Sequence, residues 1–164
     1  MKRGQLKLSF GMIFSIILII LFISFAFYAI SKFLNLQTSV TIGKFINEFQ
    51  SDINKIWKGS QGSQQVEYFL PKKIKYICFA DYNYKESGEN KNLYNTLKKV
   101  YWEEENLFFY PVGSGEGQNS FKIKNIDLGK ITLKNNPLCI ENINGRIKMT
   151  IKIESEHSLV TIEK

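Results

Sequence analysis

The sequence predicts an α+β protein. A long N-terminal helix, transmembrane in its first half and amphipathic in its second, leads into a small, mainly antiparallel β head. Three observations carry this. Residues 10–31 form a run of 22 residues without a charge. Residues 42–57 repeat apolar side chains at helical spacing. Residues 64–164 hold several short runs that alternate apolar and polar at period two. The expected organisation is 1–4 as a basic leader, 10–31 as a transmembrane helix, 32–58 as its amphipathic extension and 64–164 as an extracytoplasmic head.

The apolar run is long enough to cross a bilayer. At 1.5 Å per residue it spans roughly 33 Å, against a hydrocarbon core of about 30 Å. Secretory apolar regions are shorter, about 7–15 residues, and end in a small-residue cleavage site that Tyr28-Ala29-Ile30-Ser31 does not supply. Phe and Ile occupy every face, so the run does not read as an amphipathic core helix. Tyr28 and Lys32 suit the far interface. Lys2, Arg3 and Lys7 precede the run, and all 15 acids follow it. The positive-inside rule therefore places the N-terminus in the cytoplasm and the head outside the cell membrane, with membrane lipid as the first partner.

The same flank carries a motif. Lys2-Arg3-Gly4 is followed by Gln5, and Phe10 opens the apolar run. Over about the first 35 residues the chain resembles the archaeal type IV pilin-like precursors, the class III signal peptide group. Those precursors carry a short basic leader ending in Gly, and a Gln usually opens the mature chain. The resemblance implies a cut at Gly4–Gln5 by a prepilin peptidase on the cytoplasmic side. It also implies a retained helix that serves as anchor and filament core, and pilin-like subunits as partners. Two positions depart from the pattern. Lys7 and Ser9 stand where the family places a small hydroxyl residue and a glutamate. The alternative is a single-pass anchored binding or accessory domain that does not polymerise.

Beyond Leu36 the apolar pattern becomes periodic. Ile42, Phe45, Ile46, Phe49, Ile53, Ile56 and Trp57 form one stripe, and polar residues fill the other faces. The helix is expected to run from about residue 10 to 57, with a soft spot near residues 35–41; two separate helices are the alternative. The segment Gly59-Ser60-Gln61-Gly62-Ser63 ends it.

In the head, residues 65–70, 74–80 and 107–112 read as strands, and residues 93–101 as a short helix. FKIKNI, KITL and LCIEN at 121–142 read as strands or strand pieces. Asn144-Gly145 is a type I′ hairpin signal before RIKMTIKIE, which places Ile147, Met149, Ile151 and Ile153 on one face. SLVTIE pairs back as the last strand. Cys78 and Cys139 are the two cysteines, both in apolar strand-like runs. Outside the cytoplasm they favour a disulfide that stabilises by roughly 4 kcal/mol in the chain-entropy model; two buried thiols are the alternative.

Catalytic chemistry is hard to build from these residues. His157 is the single histidine and falls in a turn, so neither a His-rich zinc site nor a Ser-His-Asp triad is expected. Gly113-Ser114-Gly115-Glu116-Gly117 follows a strand but lacks phosphate-loop spacing. Asp81, Asn83 and Lys85 superficially suggest a calcium loop, yet Glu86 stands where glycine is required. With two arginines, Arg3 and Arg146, the formal net charge of +7 does not point to nucleic acid. The abundance of lysine, asparagine and isoleucine reads as compositional bias. The expectation is a non-enzyme without a cofactor or metal. Glu103-Glu104-Glu105 reads as a solvated helix end or a contact for a basic partner. Tyr82 and Tyr84, in a polar loop, are the recognition candidates, or else they pack on the sheet edge. The head's own partner is not legible.

Overall fold

A computed structural model describes residues 9–59, 62–102, 104–154 and 158–164. Between Gly11 and Gly43 the sequence carries neither Gly nor Pro, and the chain forms one unbroken helix, α1 (Phe10–Lys58, 49 residues). The expected soft spot at 35–41 is not seen. Ser9 caps the helix: its side-chain oxygen accepts from the Met12 N–H at 3.3 Å. The chain divides into two compact units, residues 1–37 and 38–164.

In the first unit, α1 is long and apolar enough to cross a membrane. Its serines need no outside partner. Ser15 Oγ donates to the Gly11 carbonyl and Ser24 Oγ to the Ile20 carbonyl, each at 2.8 Å. The Lys32 ammonium lies 5.7 Å from the centre of the Tyr28 ring.

The second unit begins inside the helix because residues 38–58 belong to a core. Ile42, Phe45, Phe49 and Ile53 are buried, Ile46 and Ile56 half-buried, and Trp57 exposed while its Nε1–H donates to Ser158 O at 2.9 Å. Seven strands follow: β1 (Gly62–Phe69), β2 (Tyr76–Phe79), β3 (Leu107–Tyr110), β4 (Ser120–Phe121), β5 (Leu138–Glu141), β6 (Arg146–Ile153) and β7 (Thr161–Glu163). Two short helices intervene, α2 (Lys91–Lys98) and α3 (Leu128–Ile131). All ladders are antiparallel and form two sheets, β1-β6-β7 and β4-β3-β2-β5.

The alternating pattern of β6 does what period two requires: Ile147, Met149, Ile151 and Ile153 all face inward. They share one core with Ile77 and Phe79 of β2, Leu107 and Phe109 of β3 and the helix stripe. Phe45 and Phe49 join the sheets. Their ring centres lie 5.4 and 5.7 Å from Tyr68 of β1, and 6.2 and 6.1 Å from Phe109 and Phe79. The opposite face of the four-stranded sheet presents Cys78, Phe108 and Cys139, which α2 covers with Leu97.

Three expectations are corrected. KITL is not a strand. Asp127 Oδ1 accepts the Lys130 N–H at 3.0 Å, and that cap starts α3 instead. FKIKNI gives strand only at β4. Beyond it Asn106 grips Ile123 through both its amide atoms (2.8 and 2.9 Å), and Gln50 of α1 grips Lys124 the same way (2.8 and 3.2 Å). Side-chain amides there replace a neighbouring strand. The Asn144-Gly145 turn forms, with φ of 56° and 90° and two bonds between Ile143 and Arg146, but it closes no long hairpin. After that single bridge β5 pairs with β2 and β6 with β1, so the turn carries the chain from one sheet to the other.

Candidate functional site

Cys78 and Cys139 are directly opposed on β2 and β5 and are joined by a disulfide, with Cα atoms 4.0 Å apart. Lys75 and Asn142 exchange a backbone bond three rungs away (2.8 Å), which makes the cysteine rung a non-hydrogen-bonded one, where side chains approach closest. Next to it stands Tyr82. Its ring meets Tyr94, Tyr101 and Phe108 edge-on at 4.9, 4.5 and 5.6 Å. The hydroxyl is buried with no hydrogen-bond partner among the described residues. Burial first, then the neighbouring Tyr94 and Tyr101 hydroxyls, push the Tyr82 pKa well above the ordinary tyrosine value. Tyr82 is half-buried, and its ring is taken up by the aromatic cluster, the packed arrangement that was the alternative to recognition.

Tyr84 is placed differently. The residue is 66% exposed, while its carbonyl accepts from the Tyr94 hydroxyl at 2.7 Å. The loop that carries it is pinned by one buried side chain, Asn136. The Asn136 Oδ1 accepts from Asp81 N–H at 3.1 Å, and its Nδ2 donates to the carbonyls of Asp81 (2.8 Å), Lys85 (3.2 Å) and Tyr84 (3.4 Å). The Asp81 exchange falls on the next rung of the β2–β5 register, so the side-chain amide continues a ladder that the backbone has left. Across a hollow of about 380 Å³, lined by Tyr84, Lys85, Ser87 and Leu133 among others, stands Leu133. It is 77% exposed. Sequence reasoning missed Leu133 because KITL read as a strand.

The remaining candidates are occupied by their own loops. Asp81 Oδ1 accepts from the backbone and side chain of Asn83 at 2.9 and 3.0 Å, which closes an Asx turn around the supposed calcium ligand. In the glycine loop, Asn119 Oδ1 takes the N–H groups of Gly113 (3.0 Å) and Gly115 (3.4 Å) that a phosphate would need. A Cβ on Gly115 would sit 2.0 Å from the Gln118 carbonyl oxygen, so this glycine serves the turn. Glu104 pairs with Lys122, which draws its carboxyl below the ordinary range by hydrogen bonding and charge. No group of three or more His, Cys, Asp or Glu among the described residues could hold a metal ion. Lys2, Arg3, Gly4, Gln5, Lys7, Glu103 and His157 lie outside the described residues.

No protein-family model, curated protein or solved structure matches this chain. Beside the disulfide-linked sheet, an exposed Tyr84 on its pinned loop and an exposed Leu133 after α3 line one hollow.

Proposed function

We propose that the chain is a non-catalytic, membrane-anchored, pilin-like surface protein. Its N-terminus would be cytoplasmic, its head would lie outside the cell membrane, and its leader would be cut at Gly4–Gln5. It would serve as a minor component of a type IV pilus-like filament. One observation carries this: a basic segment with Gly4-Gln5 lies four residues before an uncharged run of membrane-crossing length at 10–31, in a helix whose second half enters the core of a β head. The disulfide supports an oxidising compartment for the head.

A second reading rests on Lys7 and Ser9. A lysine and a helix-capping serine at those positions favour an anchored binding domain that stays single. Sequencing the N-terminus of the membrane-extracted protein tests the leader. A start at Gln5 is expected, and an intact Met1 or Lys2 start rejects processing. Protease treatment of intact cells should remove the head; protection of the head would reverse the orientation.

A further inference from the structure

The two sheets part after the 143–146 turn and leave a groove between β5 and β7. It consists of two hollows of about 510 Å³ each, both lined by Lys164. Leu138, Ile140 and Ile162 lie along it. Its sides are open strand edges. On β5 the bonded rungs use Leu138, Ile140 and Asn142, so the backbone groups of Cys139 and Glu141 turn away from β2. On β7, Thr161 and Glu163 bond toward β6, and the outward edge pairs only at Val160, with Asn125 and Asp127 at 3.0 and 2.8 Å. That single parallel bridge goes no further, since α3 begins at Leu128, and the Ile162 backbone is left facing the groove.

The rim is basic. Lys130, Lys134, Arg146, Lys148, Lys152 and Lys164 face Glu141, Glu154 and Glu163. Two of the acids are already engaged, since Lys152 reaches Glu163 at 2.7 Å and Glu154 at 3.4 Å, and Glu141 stays on the rim; among the bases, Lys130 pairs with Asp127 at 3.8 Å and Lys164 with Glu89 at 3.3 Å. Lys134 has no carboxylate partner among the described residues, and Lys148 has only Glu67 at 3.5 Å, which it shares with Arg146.

We propose that this groove binds an extended acidic segment of a partner protein, which adds as a strand between β5 and β7. The open backbone edges would take its peptide groups, the apolar floor its inward side chains and the lysine rim its carboxylates. The proposal does not depend on leader cleavage or on filament formation.

The test uses the full chain in nanodiscs of neutral lipid and a capped heptapeptide that alternates glutamate and valine. Saturable binding is expected, weakened at least tenfold in Lys134→Glu/Lys148→Glu. Amide exchange should slow at Cys139, Glu141 and Ile162. Equal binding of the matching lysine–valine peptide would overturn the proposal, as would binding unchanged by the charge reversal. Protection confined to the β1 edge would overturn the location. Self-association without peptide, abolished by the same two substitutions, would give the groove to a second copy of the chain instead. Both substituted side chains are exposed, and matching circular dichroism shows that any loss is not unfolding.

Discussion

Asn136 shows how one side chain can hold a surface loop. It is buried, and its four hydrogen bonds reach Asp81, Tyr84 and Lys85. Asn136→Ala strands an N–H and several carbonyls, so it should destabilise the head by about 2–4 kcal/mol in urea unfolding and speed amide exchange over residues 81–87. Asn106 and Asn142 are buried in the same kind of work: Asn142 Nδ2 donates to Ile74 O at 2.7 Å and Pro71 O at 3.1 Å. Asparagine that reads as compositional bias is thus, at these positions, a substitute for strand backbone. Tyr82 behaves oppositely, with a hydroxyl that finds no partner among the described residues. Tyr82→Phe should leave stability at pH 7 unchanged or raised. The folded-state pKa of Tyr82 lies above the unfolded value of about 10, so its contribution is complete below that pH and is lost as pH rises. The phenylalanine variant should therefore lose less stability between about pH 10 and 12, read from urea midpoints at each pH.

At the scale of elements, what could be read in advance was what repeats. The stripe from Ile42 to Ile53 and the alternation from Ile147 to Ile153 each appear as predicted, because burial on one face leaves a period in the sequence. The pairing of strands leaves no such trace. Asn144-Gly145 announces a turn, but nothing local says that β5 will leave β6 for β2. Nor does a run such as KITL reveal that Asp127 will cap it into α3. Of the site, Tyr84 could be picked out as an aromatic in a polar loop. Asn136, 52 residues away, could not, because the bond joining them crosses the fold. The turn itself can be tested. Gly145 has φ of +90°, and a Cβ there would lie 3.2 Å from the Leu70 carbonyl oxygen. Gly145→Ala should cost about 1–3 kcal/mol through backbone strain and should destabilise both sheets together, since the turn starts the β6 ladder and follows β5. Tryptophan fluorescence and amide exchange across β1 and β5 would register a common shift; loss confined to β1 would contradict it.

For the whole molecule, the question is where the head begins. Residues 38–164 form a compact unit, although the sequence break at residues 59–63 suggests a boundary some twenty residues later. The earlier boundary follows from packing. Ile42, Phe45, Phe49 and Ile53 are essentially inaccessible, and Phe45 and Phe49 touch aromatic rings from both sheets. Burying four such side chains contributes about 1.5–3 kcal/mol each, or roughly 6–12 kcal/mol together. That is the size of a small domain's entire net stability, about 5–15 kcal/mol. The disulfide cannot replace it. Its contribution of about 4 kcal/mol acts on the unfolded chain and leaves the exposed sheet faces uncovered. A fragment of residues 38–164, oxidised, should therefore unfold cooperatively with sharp near-ultraviolet circular dichroism. A fragment of residues 62–164 should show neither property, even with Cys78 and Cys139 joined. Cooperative melting of the shorter fragment would mean that the helix only rests on the head. Restoring its fold by adding a synthetic 38–58 peptide would show the opposite, that these residues belong to the head's own core.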